Sequence, residues 1–215
     1  MRRFAFYCIG IAFVTLSPTA HASTFTFDQD PFAGIDVTKI PGRQIVGGED
    51  FLVFSPEHDV FSIDPKVFGV GNTVSFVNES ADILPAGGVN VVVLENFDDD
   101  NNPLTPFGAS NAADLIAGKI TTPGPGFFIY FNQDLDLARL VYSTDLSDNN
   151  ADLRILARML NLFGAEGRNE LPNFKAANFA FTAPVSTVPE PSSFFMILVV
   201  GAVGGCIYRK RQFHR

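Results

Sequence analysis

The sequence predicts a mainly β protein, whose body is a single antiparallel β-sandwich-like domain with one or two helices. Two observations lead to this prediction. Short runs rich in Val, Ile and Phe recur about every ten residues through the first half of the body, and Gly, Pro, Asn and Asp separate them. One later segment has apolar residues at helical spacing.

Eight segments have the composition of strands. They are residues 23–27, 50–54, 59–63, 73–77, 89–94, 127–131, 137–143 and 176–182. Residues 91–94 are apolar at every position, which indicates a strand covered on both faces. Residues 109–116 are predicted to form a short helix of one or two turns.

The longest helix is predicted over residues 151–163. Its apolar residues recur three and four positions apart: Leu153, Leu156, Leu160 and Phe163. Asn149 or Asn150 can cap its start, Asp152 falls in its first turn, and Gly164 can end it. The apolar stripe is interpreted as core rather than as a groove for a partner.

The first 22 residues have the composition of a secretory signal peptide. Arg2 and Arg3 supply the positive start, and residues 4–16 form a mostly apolar run. Ala20 and Ala22 place small residues at the two positions that signal peptidase reads. We therefore expect cleavage after Ala22, and a retained N-terminal anchor is the alternative.

The predicted exported body, residues 23–187, is strongly acidic. It holds nine of the 15 Lys and Arg residues and 22 of the 23 Asp and Glu residues, a difference of 13 negative charges. Such a charge disfavours nucleic acid and anionic lipid as partners. Cys8 and Cys206 both lie outside the body, so no disulfide is expected in it, and its length suffices for one hydrophobic core.

Three features follow one another in the last 28 residues, 188–215. The first is a motif of five residues: Val188, Pro189, Glu190, Pro191 and Ser192. Its prolines keep the backbone extended and accessible. The second is the apolar segment 194–208, about 22 Å long as a helix, and the third is the basic end 209–215. The positive-inside rule places Arg209, Lys210 and Arg211 on the cytoplasmic side.

This tail resembles the PEP-CTERM sorting signal of Gram-negative bacteria. The resemblance implies that an exosortase, a membrane-embedded protease, recognises and cleaves the tail at the Pro-Glu-Pro motif. It also implies that segment 194–208 is a transient inner-membrane anchor, and that the protein then reaches the cell surface or the extracellular polysaccharide matrix. A 15-residue span is short for a permanent anchor in a hydrocarbon core about 30 Å thick. The alternative is a plain membrane helix that follows a chance Pro-Glu-Pro.

The same tail module has also been labelled the C-terminal segment of ice-binding proteins. That label describes the tail alone. Ice binding requires regular, flat threonine arrays, and the body shows none beyond Thr24 and Thr26. We therefore do not predict ice binding.

Two acidic segments are the candidates for a metal site. The first consists of Asp98, Asp99 and Asp100, and the second contains Asp145, Asp148 and Asp152. Calcium takes six to eight oxygen ligands from residues of this kind. Neither segment has the EF-hand pattern, so solvated loops and a helix cap are the favoured interpretation, with calcium binding as the alternative.

Few residues of the body suit catalysis. His58 is its single histidine and lies in a polar turn, whereas a zinc site needs several His or Cys ligands. A carboxylate pair for glycoside hydrolysis remains open, because its spacing is spatial. The body has no Trp, and Tyr130 and Tyr142 are its only tyrosines, so it is poor in the aromatic platforms on which sugars stack.

These patterns predict a non-enzymatic secreted or surface-displayed protein of the cell envelope or extracellular polysaccharide matrix. Its expected partners are signal peptidase, an exosortase-type protease, the inner membrane before processing, and extracellular polysaccharide. No cofactor is expected, apart from the calcium alternative. Two other functions stay open: a calcium- or glycan-binding adhesion module, and a secreted hydrolase that uses scattered carboxylates.

Overall fold

The computed structural model describes residues 21–36, 42–102 and 104–182. Ala20, the sorting motif 188–192, the apolar segment 194–208 and the basic end 209–215 lie outside the described residues. Within the described ranges the chain is mainly β, as predicted, with two α-helices. No helix in these ranges has the length and apolarity needed to cross a bilayer.

The strands and helices follow one another along the whole described chain. The strands are β1 (Thr24–Phe27), β2 (Ile45–Val46), β3 (Asp50–Leu52), β4 (Val60–Ile63), β5 (Phe76–Glu79), β6 (Val91–Leu94), β7 (Gly126–Asn132), β8 (Leu137–Ser143), β9 (Leu153–Phe163) and β10 (Phe179–Phe181). The helices are α1 (Ala109–Ala117) and α2 (Gly164–Asn169). Short 3₁₀ turns cover Ala81–Ile83, Leu171–Asn173 and Ala176–Asn178.

The strands form two sheets, and the predicted antiparallel pairing is wrong for most of them. The smaller sheet has the order β1-β4-β10 and is entirely parallel. The larger has the order β2-β9-β8-β7-β6-β5, with β3 also paired to β9. Among the described strands, only the pairs β7-β8 and β8-β9 are antiparallel. The regular spacing of short strands suggested hairpins, but long connections bring the strands side by side in parallel instead.

One core lies between the two sheets and is rich in phenylalanine. Phe54 and Phe61 stack with their ring centroids 4.1 Å apart. Phe181 of β10 meets Phe127 of β7 at 5.8 Å, so the small sheet packs directly on the large one. Phe61 is completely buried, as expected of a residue on a central strand of a packed sheet.

A second core covers the opposite face of the large sheet. Ala112 and Ile116 of α1 pack there with Val92 and Leu94 of β6. Val91 and Val93 point to the first core, so all four side chains of β6 are buried, which confirms the prediction of a strand covered on both faces. Helix α1 lies where the sequence predicted the short helix.

The helix predicted over residues 151–163 is wrong, because Leu153–Phe163 is strand β9. Val141 pairs with Ile155 and Leu140 with Ala157, so Leu156 is an extra residue at a β-bulge. The proposed caps have other roles. Asn150 does not cap a helix, and its N–H donates to Asp148 Oδ1 in the loop before β9. Gly164, with φ of 64°, begins α2 and does not end a helix.

Candidate functional site

An open cleft of about 630 Å³ lies where the end of β9 meets the turn between β3 and β4. One wall is the turn that contains Ser55, Pro56 and Glu57. The other wall runs from α2 to Lys175. The lining is rich in polar side chains. Its charged and amide groups belong to Glu57, Asn161, Glu166, Glu170, Asn173 and Lys175.

Asn161 fixes the floor of the cleft. Its Oδ1 accepts a hydrogen bond from the Phe54 N–H at 2.8 Å, and its Nδ2 donates to the Phe54 carbonyl at 2.9 Å. The amide thus satisfies both backbone groups of Phe54, as a neighbouring strand would. The Phe54 ring lies beneath the cleft and stacks on Phe174 at 5.4 Å.

The α2 wall depends on a close approach at Gly167. A Cβ on Gly167 would overlap the backbone of Leu162, so only glycine allows α2 to lie this close to the end of β9. Gly167 and Leu162 are both buried. This contact places the side chains of Glu166 and Glu170 at the cleft.

The opposite wall is held by buried polar side chains. Asn178 donates to the carbonyls of Pro56 and Asp59 at 2.9 and 2.8 Å. Asp59 Oδ2 accepts from the Ser55 N–H at 2.8 Å. These bonds fix the turn that carries Glu57 and His58, and His58 lies exposed there, as predicted.

The cleft is acidic and accessible. Glu57, Glu166, Glu170 and Lys175 are all exposed, and they carry a formal charge of three acids against one base. Asn173 Nδ2 donates to Glu170 Oε2 at 2.8 Å, which orients that carboxylate. Such a site offers hydrogen-bond acceptors and amide groups to a hydroxyl-rich or cationic ligand, and its charge repels an anionic one.

The sequence-predicted cluster of Asp98, Asp99 and Asp100 does come together, with carboxylate oxygens within 4.8 Å of one another. The loop already uses these oxygens. Asp98 Oδ1 accepts the N–H groups of Asp100 and Asn101. Thr105 donates its hydroxyl to Asp100 at 2.7 Å. This hydroxyl, followed by the Asn102 N–H, lowers the pKa of Asp100.

The other predicted acids are not brought together as a metal site; in the described chain only the Asp98–Asp100 group has metal-ligand spacing. Asp145 Oδ1 accepts from Gly124 and Ser147. Burial raises the pKa of Asp145, but these hydrogen bonds outweigh it and the net shift is downward. Asp148 Oδ1 accepts from the Asn150 N–H.

Asp152, the last of these acids, does not lie in a helical first turn. Its Oδ1 accepts the Gln44 N–H at 2.7 Å, next to the point where β2 joins β9. Its own N–H donates to the Thr144 hydroxyl. Asp152 therefore has a structural role in holding an edge of the large sheet.

Sequence reasoning missed an ionic network around Glu49. Glu49 Oε1 accepts from Arg139 Nη2 and Arg158 Nε. Burial alone raises the pKa of Glu49, but hydrogen bonds from its own N–H, Arg158 and the Gly48 N–H, together with the charge of Arg139, lower it to about 2. The residues come from three separate segments, so no local pattern marks them.

Comparisons with known proteins do not assign the chain to a family. No protein-family model matches the chain, and neither the curated proteins nor the solved structures contain a significant match. The candidate site therefore rests on the geometry of the cleft.

Proposed function

We propose that this chain is exported and acts as a non-enzymatic protein of the cell envelope or extracellular polysaccharide matrix. Its sandwich-like body is flanked by a signal peptide and a sorting tail. One observation supports this proposal: the tail has its Pro-Glu-Pro motif, apolar segment and basic end in the order of the PEP-CTERM sorting signal that it resembles. Signal peptidase and an exosortase-type protease process the chain, and the inner membrane holds it between the two steps.

The body contributes a binding site for a glycan of the matrix. The cleft of about 630 Å³ falls within the range of small-ligand sites. Carboxylates at Glu57, Glu166 and Glu170 and the amide of Asn173 suit hydroxyl and amino groups. The acidic lining disfavours uronic acid polymers, so the proposed ligand is a neutral or amine-bearing glycan.

Replacement of Pro189, Glu190 and Pro191 by alanine in the native host tests the sorting step. The variant is expected to remain uncleaved and membrane-bound, as followed by mass and cell fractionation. A matched triple alanine variant at Val185, Ser186 and Thr187 changes the neighbouring chain and should be processed normally. Unchanged processing of the Pro-Glu-Pro variant contradicts the proposal.

Cleft variants test glycan binding separately. Glu166→Gln and Glu170→Gln together remove two negative charges from the cleft and keep the side-chain size. We expect binding to an amine-bearing glycan, such as a partly deacetylated glucosamine oligomer, to weaken about tenfold or more. Asp82→Asn removes an exposed acid outside the cleft lining and should leave binding unchanged. Equal binding by the Gln variants and the native protein rules out this use of the cleft.

A secreted hydrolase is the second candidate, favoured by the three exposed carboxylates around one cleft. Glycoside hydrolysis uses a pair of carboxyl groups on the two sides of the scissile bond. Release of reducing ends from a glycan panel, lost in the Glu170→Gln variant, would establish this activity. Binding without turnover supports the non-enzymatic function instead.

A further inference from the structure

Ser23, the residue that follows the expected signal cleavage, is bound to a buried carboxylate. Its N–H donates to Asp59 Oδ1 at 2.7 Å, and Asp59 is only 6% exposed. The Ser23 carbonyl accepts the Val60 N–H at 2.9 Å. Both backbone groups of Ser23 are therefore held by the start of β4, and Thr24 begins the β1-β4 pairing directly after it.

The Asp59 carboxylate is oriented so that its Oδ1 faces the Ser23 nitrogen. Its Oδ2 accepts the Ser55 N–H at 2.8 Å, and Asn178 binds its main-chain carbonyl. These bonds fix the carboxylate and leave Oδ1 directed at Ser23. The ion pairs formed by Lys, Arg and His side chains in the described ranges involve other acids, so none of these side chains balances the Asp59 charge there.

Cleavage after Ala22 changes the chemistry of the Ser23 nitrogen. Water adds across the Ala22–Ser23 peptide bond, the Ala22 carbonyl carbon takes the hydroxyl as a carboxylate, and the Ser23 nitrogen becomes an α-amine. With an ordinary pKa of about 8, this amine takes up a proton near neutral pH. A neutral N–H donor thus becomes an ammonium that faces a buried carboxylate, and charge-assisted hydrogen bonds of this kind are the stronger class.

We propose that cleavage after Ala22 completes an ion pair between the new Ser23 α-ammonium and Asp59, which locks β1 onto β4 and stabilises the mature body. The proposal rests on the proposed export of the protein. A buried carboxylate gains its counter-ion only when the chain begins at Ser23. Any preceding residue leaves an amide there and moves the charge away from Asp59.

The test compares two chains in the same detergent, residues 23–215 and residues 22–215, each released from a removable N-terminal fusion. The chain that begins at Ser23 is expected to melt roughly 2–4 °C higher, the shift that about a fivefold change in the unfolding equilibrium gives for a protein of this size. Acetylation of its α-amine should remove the difference. Equal melting temperatures of the two unmodified chains overturn the proposal.

A charge-removing variant makes the comparison specific. In Asp59→Asn both chains are expected to melt lower, and the difference between them should disappear. Asp64→Asn is the matched control, because Asp64 is also a buried acid that accepts a backbone N–H, from Lys66, at the other end of β4. Its two chains should keep the difference. A difference that persists in Asp59→Asn overturns the ion pair.

Sequencing of the exported protein separates this inference from export itself. The mature chain is expected to begin with Ser-Thr-Phe, residues 23–25. An exported chain with another first residue overturns the Ser23 ion pair and leaves export and sorting standing. If the protein is not exported but the two chains still differ in melting temperature as predicted, the proposed function is wrong and the Ser23–Asp59 ion pair stands.

Discussion

Glu49 and Arg139 form an ion pair of 2.7 Å, with side chains only 7% and 12% exposed. Arg158 binds the same Glu49 oxygen. The two arginines lie opposite each other on the paired strands β8 and β9. Glu49 precedes β3, so this network fastens a three-residue edge strand to the sheet. An edge strand this short gains little stability from its own hydrogen bonds. Its attachment to the sheet therefore depends strongly on the ion pair.

Stability is therefore expected to fall in acid as Glu49 takes up its proton. The carboxyl has a pKa of about 2 in the folded protein against an ordinary 4.5. A lowered folded-state pKa contributes stability that is complete above about pH 4.5 and is lost as pH falls towards 2. The difference corresponds to about 3 kcal/mol. Denaturant unfolding at several pH values between 2 and 6 measures it.

Glu49→Gln should lose that contribution wherever the native carboxylate is ionised. At neutral pH we expect a free energy of unfolding about 3 kcal/mol lower, because two arginines lose their shared charge partner. The acid-dependent slope should flatten in the same variant. Asp50→Asn, which changes the exposed neighbour, serves as the control and should keep the native slope. An unchanged slope in Glu49→Gln would show that other acids cause the pH dependence.

Strand β9 shows where the sequence could mislead. Its Leu153 and Ile155 face the core beneath α1, while Leu156, Ala157 and Met159 face the core between the sheets. A strand buried on both faces and interrupted by a bulge has apolar residues at three- and four-residue spacing, which imitates a helix. By contrast, β8 lies at the predicted residues, because its loop to β7 is a true hairpin.

The candidate cleft was beyond the reach of sequence reasoning for a different reason. Its walls come from residues near 55 and from residues 161–175, which are joined only by the fold. In the helix predicted over residues 151–163, the exposed amide of Asn161 would need no partner. In the structure it replaces a strand partner for Phe54, a role that depends on a contact over 107 residues. The acidic triplet at 98–100 was local, and its proximity could be predicted.

Gly167→Ala should loosen the α2 wall of the cleft. The added methyl group meets the Leu162 backbone, so α2 must move away from β9. We expect the free energy of unfolding to fall by about 1–3 kcal/mol, as for overpacked sites, and glycan binding to weaken. Gly71→Ala is the control, since its Cβ has open space around it. Equal stability of the two variants would show that α2 shifts at no cost.

Tyr142→Phe should lower the free energy of unfolding by about 1 kcal/mol. The Tyr142 hydroxyl donates to the Phe68 carbonyl at 2.9 Å, and the variant leaves that buried carbonyl without its partner. Burial, helped by the negative charge of Asp30, raises the Tyr142 pKa to about 12. The stability that the protonated Tyr142 hydroxyl contributes is present below about pH 10 and is lost as pH rises through 12.

Ultraviolet titration measures this ionisation directly. The folded protein should show a tyrosine that ionises near pH 12, and Tyr142→Phe should lower the amplitude of the high-pH ionisation by one tyrosine, because burial also raises the pKa of Tyr130. Guanidinium unfolding of the variant at pH 7 gives the hydrogen-bond contribution. A native protein whose tyrosines all titrate near pH 10 while still folded would contradict the buried environment of Tyr142.

Calcium is expected to leave the melting temperature within about 1 °C of its value in chelator. Asp98 and Asp100 already accept hydrogen bonds within their loop, and Asp99 Oδ2 accepts from Asn111 at 2.8 Å. An ion would have to replace these bonds at an exposed site. Binding at 100 times the dissociation constant would add about 2.7 kcal/mol and several degrees. A shift of that size, lost when Asp98 and Asp99 are replaced by Asn, would instead establish the ion-dependent adhesion module.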